Sequence, residues 1–129
     1  SQRVMEQESR ATKNLRNELI SSIQDTVYDT RINGNMNKRL SGNLNMSFPN
    51  ASNEAMIASM PNIAISSGAA CTSSSMDASH VLLALGLSKK EAYSSLRFSI
   101  GRFNSEEDIE IAAQSISLYM RKLQKTSYV

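Results

Sequence analysis

The 129 residues hold one cysteine and one histidine, and that scarcity decides most of the possible chemistry. A single thiol excludes an internal disulfide and a multi-thiolate metal site. With only His80 beside it, most other transition-metal and triad arrangements go too, so no metal is expected. Cys71 stands in SSGAACTSSS, residues 66–75, with no apolar side chain larger than Ala within four positions on either side. A reactive thiolate needs exposure and reach, whereas a structural cysteine is usually packed among apolar groups. The segment has neither the bulk to anchor it in a core nor the charge to fix it at the surface, so a mobile loop is expected. About five residues of chain on each side, at ~3.3 Å each, would let the thiol sweep on the order of 10–15 Å between two partners, which suits a carrier of a chemical group. A spare thiol in a linker, or a small core cysteine, accounts for the same residues. His80 reads as a capping or surface residue at the start of a short helix.

The elements that must position this loop follow from periodicity. Between Arg3 and Ile23 there is no Gly or Pro, and Ala11, Leu15, Leu19 and Ile23 recur every four residues, as on an amphipathic helix. Residues 31–42, RINGNMNKRLSG, read as turn and loop, with Asn33-Gly34 the strongest turn signal because both tolerate positive φ. Strict alternation in Leu44-Asn45-Met46-Ser47-Phe48, stopped by Pro49, predicts a half-buried strand. Asn53 reads as the cap of a short helix over 54–60 that Pro61 ends, before a second strand at Ile63-Ala64-Ile65.

Beyond the loop, Val81, Leu82 and Leu85 mark a short helix that Gly86 ends, and Ser88-Lys89-Lys90-Glu91 matches a capping box. Alternation returns in Leu96-Arg97-Phe98-Ser99-Ile100, which sends Leu96, Phe98 and Ile100 to the core and Arg97 and Ser99 to the other face. Asn104 with Glu107 is a cap signature for a long last helix. On it Ile109, Ala112, Ala113, Ile116, Met120 and Leu123 share a face, and Arg121, Lys122 and Lys125 sit near its negative end. Two long helices, several short ones and about three separated short strands predict an α+β domain, a small antiparallel or mixed sheet packed against helices.

A length of 129 residues with 40% hydrophobic and 20% charged residues fits one domain, residues 1–129, on a prior of roughly 100–200 residues per domain. Fourteen Lys and Arg against twelve Asp and Glu leave a net charge of +2, spread too thinly for the concentrated basic face that nucleic acid requires. Apolar runs of about four or five residues fall short of the ~20 that span a bilayer, and the opening SQRVMEQESR is too polar for a signal peptide. Neither nucleic acid nor membrane is an expected partner.

The runs RLSGNLNMSF, NEAMIASM, NIAISSGAACTS, SHVLLALGLS, SSLRFSIGRF and SEEDIEIA occur in unbroken order from about Leu40 to the last helix. Together they resemble the C-terminal part of a cysteine desulfurase of the SSG-x-ACTS loop class, a pyridoxal-phosphate enzyme of the class V aminotransferase family. The helix before Leu40 fits loosely. The resemblance implies the C-terminal small domain of a fold-type I enzyme. It implies that Cys71 attacks the sulfur of L-cysteine and carries it as a persulfide, releasing L-alanine, and that Arg97 clamps the substrate carboxylate. The residues agree on Arg97, since a guanidinium fork binds carboxylate bidentately and the alternation turns it away from the core. Arg102, at the strand end beside Glu106 and Glu107, reads as structural.

The family holds pyridoxal phosphate on a lysine next to a histidine in a large domain, and none of Lys13, Lys38, Lys89, Lys90, Lys122 or Lys125 has an adjacent histidine. The resemblance therefore implies that the cofactor-binding large domain is absent from this chain, that the chain alone binds no cofactor and is inactive, and that the complete enzyme is a homodimer. The implied partner is a sulfur acceptor such as an iron–sulfur scaffold or a tRNA-thiolation protein, with scaffold docking through an extended C-terminal tail doubtful for a chain ending in KTSYV. The implied location is cytoplasmic, or the mitochondrial matrix in a eukaryotic source. Two alternatives stay open: a non-catalytic sulfur-carrier or interaction module, and a related selenocysteine lyase.

Overall fold

Alternation at 44–48 and 96–100 places two apolar rows where they can meet, and the fold is built around that meeting. The structure is a computed structural model that describes residues 2–34, 41–60, 66–69, 86 and 88–127, with backbone alone at 66–69 and 127. Its elements run α1 (Gln2–Gln24), β1 (Arg31–Ile32), β2 (Asn43–Ser47), α2 (Asn53–Ser59), β3 (Ser66–Ala69), α3 (Lys89–Tyr93), β4 (Ser95–Ser99) and α4 (Glu106–Ser127). The sheet order is β1-β2-β4-β3 and every pairing is antiparallel. Leu44 stands opposite Phe98 and Met46 opposite Leu96, and all four are at most 1% exposed. One cluster joins them to Leu19, Ile20 and Ile23 of α1, Met56 of α2, and Ile109, Ala112, Ile116 and Met120 of α4. Each such side chain contributes about 1.5–3 kcal/mol of transfer free energy when fully buried.

The fold is the expected α+β domain, with four strands among the described residues where about three were expected. β1 arises in residues 31–32, read as loop, because its two residues pair with Ser47 and Met46. Asn33 and Gly34 follow it, with Gly34 at φ 86°, and the rest of the expected turn lies outside the described residues. β3 takes residues 66–69 from the segment expected to be a mobile loop. Its small side chains carry no strand signal of their own, and backbone pairing with β4 supplies the order. Cys71, His80, the strand expected at 63–65 and the helix expected around 81–85 lie outside the described residues.

Two caps differ by one position from expectation. Ser52, not Asn53, caps α2, its Oγ accepting from Ala55 N, while the Asn53 amide is drawn inward to donate to the carbonyls of Ala92 and Ser95. Ser105, not Asn104, precedes α4. Its Oγ accepts from Asp108 N at 3.4 Å, and the Asp108 carboxylate accepts from Ser105 N at 3.0 Å. The capping box at Ser88 and Glu91 forms as expected.

On α1 the buried positions are Thr12, Arg16, Leu19, Ile20 and Ile23, whereas Ala11 is exposed and Leu15 half-buried. A strict four-residue repeat drifts by about 40° per step around a helix of 3.6 residues per turn, so the expected stripe leaves the core toward the N-terminus. Arg16 is 2% exposed and its Nε has no hydrogen-bond partner, and burial pushes its guanidinium pKa down. Thr12 packs where β2 begins. A Cβ on Gly42 would stand 1.9 Å from the Ile100 carbonyl oxygen and 2.9 Å from Thr12 Cγ2, and the Gly42 carbonyl accepts from Ile100 N at 2.9 Å.

Candidate functional site

The residues alternating with the core rows form the other face of the sheet. Asn43, Asn45 and Ser47 of β2 stand opposite Ser99, Arg97 and Ser95 of β4. This polar row grades from buried at Ser47 and Ser95, through half-buried Asn45, to exposed at Arg97, Asn43 and Ser99. Arg97 has Asn45 as its cross-strand neighbour on one side and Gly68 of β3, which carries no side chain, on the other. Its guanidinium has no ion pair or hydrogen bond among the described residues. Arg97 and Asn45, with Asn43 and Leu44, line an open cavity of about 230 Å³. A cation held on a rigid strand without a carboxylate partner is an anion-binding arrangement.

Behind Asn45 runs a buried hydrogen-bond network. Asn33 Nδ2 donates to Asn45 Oδ1 at 3.0 Å and to Ser47 Oγ at 2.9 Å. Ser47 Oγ and Ser95 Oγ lie 2.6 Å apart, and Ser95 Oγ donates to the Glu91 carbonyl at 2.6 Å. Asn33 is further pinned by its backbone N–H, which donates to the Asn45 carbonyl at 2.9 Å. Residues far apart in the chain thus converge on one side of Arg97.

Arg97 stands on the face that its alternation predicts. Cys71 is outside the described residues, two positions past the end of β3. Arg102 lies 3.9 Å from Glu8 of α1 and over the Phe103 ring at 4.7 Å, rather than with Glu106 and Glu107, because its side chain leaves the strand end toward α1. Asn45, the cross-strand neighbour of Arg97 on the same face, was not singled out from the sequence. Its signal was the same alternation that singled out Arg97, which puts both on one face but does not show that they are neighbours. Lys13, Lys89, Lys90, Lys122 and Lys125 are all exposed on helices, and none lines the Arg97 cavity. A larger cavity of about 480 Å³ lies away from Arg97, with Arg31, Lys90 and Glu91 in its lining. Arg31 and Glu91 pair with each other across it at 3.0 Å.

The α+β fold thus presents a strand-borne cation on an open polar sheet face, and the strand beside it runs toward Cys71, the one thiol of the sequence. The chain belongs to the class-V aminotransferase family, whose sequence pattern matches residues 1–111. It is 42% identical over 127 residues to the cysteine desulfurase IscS of Ehrlichia chaffeensis, an alignment covering 98% of this chain and 31% of that protein. It is 45% identical over 113 residues to the cysteine desulfurase IscS of Shewanella oneidensis, covering 88% of this chain and 28% of that one. Among solved structures, the NifS-like protein of Rickettsia africae superposes with a TM-score of 0.69 at 27% identity, over 85% of this chain and 28% of that one. The chain thus spans less than a third of the length of these relatives. No described helix is long and apolar enough to cross a membrane.

Proposed function

We propose that this chain supplies the sulfur-carrying thiol and the carboxylate clamp of a cysteine desulfurase. The observation that carries the reading is the register of β3 on β4, which sets Gly68 beside Arg97. Cys71 lies three residue steps beyond Gly68, a span of at most roughly 10–11 Å, so the thiol is tethered within reach of whatever Arg97 holds. The tether is shorter than a free ten-residue loop would give, since 66–69 belong to the sheet. The named relatives support the same reading.

Arg97 would hold L-cysteine by its carboxylate and fix its orientation. The Cys71 sulfur, as thiolate, would then form an S–S bond to the substrate sulfur while the substrate C–S bond breaks. The bonding pair stays with carbon, which takes a proton to become L-alanine. In the complete enzyme, pyridoxal phosphate would supply the electron sink that makes this bond breakable. The persulfide passes its outer sulfur to the thiol of an acceptor such as an iron–sulfur scaffold protein. The working enzyme is a cytoplasmic homodimer, and this chain by itself is not expected to turn over cysteine.

The test uses the complete enzyme. Radiolabelled sulfur from cysteine should appear on Cys71, be removable by a reductant, and be absent in Cys71→Ser, which should also stop alanine release. Normal sulfur transfer by Cys71→Ser, or label found elsewhere only, would overturn the reading and favour a lyase that needs no thiol.

A further inference from the structure

The polar sheet face carries a second donor beside Arg97, and its direction is fixed by counting hydrogens. A backbone carbonyl only accepts, so the Ser95 hydroxyl donates its one hydrogen to Glu91 O. Ser95 Oγ can then only accept in its 2.6 Å contact with Ser47, which makes Ser47 the donor there. With its own hydrogen spent, Ser47 accepts from Asn33. That requires Asn33 to turn its NH₂ toward β2, and the second hydrogen of this group meets the Asn45 oxygen. The amide orientations therefore follow from a carbonyl whose polarity cannot be reversed, which is the kind of anchor an amide assignment needs. Asn45 Oδ1 is held toward Asn33, and Asn45 Nδ2 has no hydrogen-bond partner among the described residues.

We propose that Asn45 is a second ligand of the substrate carboxylate, its NH₂ donating alongside the Arg97 guanidinium, with Asn33 as the positioning residue that aims it. This rests on reading Arg97 as the clamp. Asn45 and Arg97 are direct cross-strand partners and line the same cavity. Among the described residues no acidic side chain lines it, so the N–H donors of Arg97 and Asn45 face an opening to which those residues bring no anion. A carboxylate has two oxygens with about four lone-pair sites, and an arginine fork leaves some of them unfilled. A neutral amide fills one without repelling the cation. It also penalises ligands that lack the carboxylate, since the donors would then stay unpaired.

The experiment is a titration of the isotope-labelled 129-residue chain with L-cysteine, L-alanine and cysteamine, followed through the side-chain resonances of Asn45 and Arg97. Both should move with the two amino acids and stay still with cysteamine, which has no carboxylate. Affinity for L-cysteine should fall about tenfold or more in Asn45→Ala, the usual scale for a hydrogen bond to a charged group. Asn33→Asp, which removes the NH₂ that holds the Asn45 oxygen, should match Asn45→Ala in affinity and narrow the preference for L-cysteine over cysteamine by the same factor, the remainder being held by Arg97. Asn45→Asp is isosteric and keeps an oxygen for Asn33, so it tests the site even where the alanine variant fails to fold. Its carboxylate should occupy Arg97 and abolish binding. Unchanged affinity in both Asn45 variants, with binding lost in Arg97→Ala, would overturn this proposal and leave the clamp intact. Unchanged affinity in Arg97→Ala as well would overturn both.

Discussion

Replacing Gly42 with alanine tests whether β2 and the end of β4 are as tightly apposed as described. The added Cβ would lie 1.9 Å from the Ile100 carbonyl oxygen, 3.0 Å from its carbonyl carbon and 2.9 Å from Thr12 Cγ2. Relief requires a backbone shift of roughly 1 Å, because the nearest atom is main chain and cannot rotate away. Overpacking of this kind costs about 1–3 kcal/mol. The same shift strains the hydrogen bond from Ile100 N to the Gly42 carbonyl, adding about 0.5–1.5 kcal/mol. A total near 3 kcal/mol, divided by a urea m-value of about 2 kcal/mol/M, lowers the unfolding midpoint by about 1.5 M. Gly101→Ala is the control. Nothing lies within 4 Å of a Cβ there, so that variant should stay within about 0.5 kcal/mol or gain up to ~1 kcal/mol through a less flexible unfolded chain. Urea titrations of the 129-residue chain, followed by far-ultraviolet circular dichroism, compare the two. Equal midpoints and slopes for Gly42→Ala and the unaltered chain would refute the apposition.

In the complete enzyme, Arg97→Ala should lower kcat/KM for cysteine by roughly 30- to 1000-fold, equivalent to about 2–4 kcal/mol, chiefly through KM, and Arg97→Lys should restore only part because an ammonium cannot reproduce the fork. Near-normal kinetics for both would make Arg97 structural. Ser105→Ala should cost about 1 kcal/mol in urea unfolding by removing the acceptor of Asp108 N, with Ser105→Asp retaining most of the stability. An unchanged midpoint for the alanine variant would show that the cap contributes nothing. Burial depresses the Arg16 pKa, so the folded state disfavours its cation, and Arg16→Met, which removes the charge and keeps the length, should hold or raise the midpoint. A loss of more than about 1 kcal/mol would mean that the guanidinium has a stabilising partner.

Legibility followed periodicity. Leu96, Phe98 and Ile100 against Arg97 and Ser99 could be sorted by alternation alone, because burial on one sheet face is a local pattern repeated every second residue. β1 and β3 could not, since Arg31–Ile32 is too short to show a period and Ser66–Ala69 has no side chain with strand preference. Partner strands decide both. The displaced cap at Ser52 has a similar cause, because Asn53 is as good a cap by type and only the carbonyls of Ala92 and Ser95 draw it inward. The clamp residue was legible through its face and through the family resemblance. The Asn33, Ser47 and Ser95 chain behind Asn45 was not, because it joins residues up to 62 positions apart.

The pairing of α1 with α4 has a consequence for synthesis. The contact from Thr26 to Ser117 spans 91 residues, and α4 supplies Ile109, Ile116 and Met120 to the cluster that covers Leu19 and Ile23. At translation rates of about 5–20 residues per second, α1 waits roughly 5–20 s for that cover. During that interval the part of its apolar stripe that α4 covers is open to chaperones and proteases. A ribosome stalled before α4 would therefore leave an adhesive, unfolded product rather than a smaller folded one.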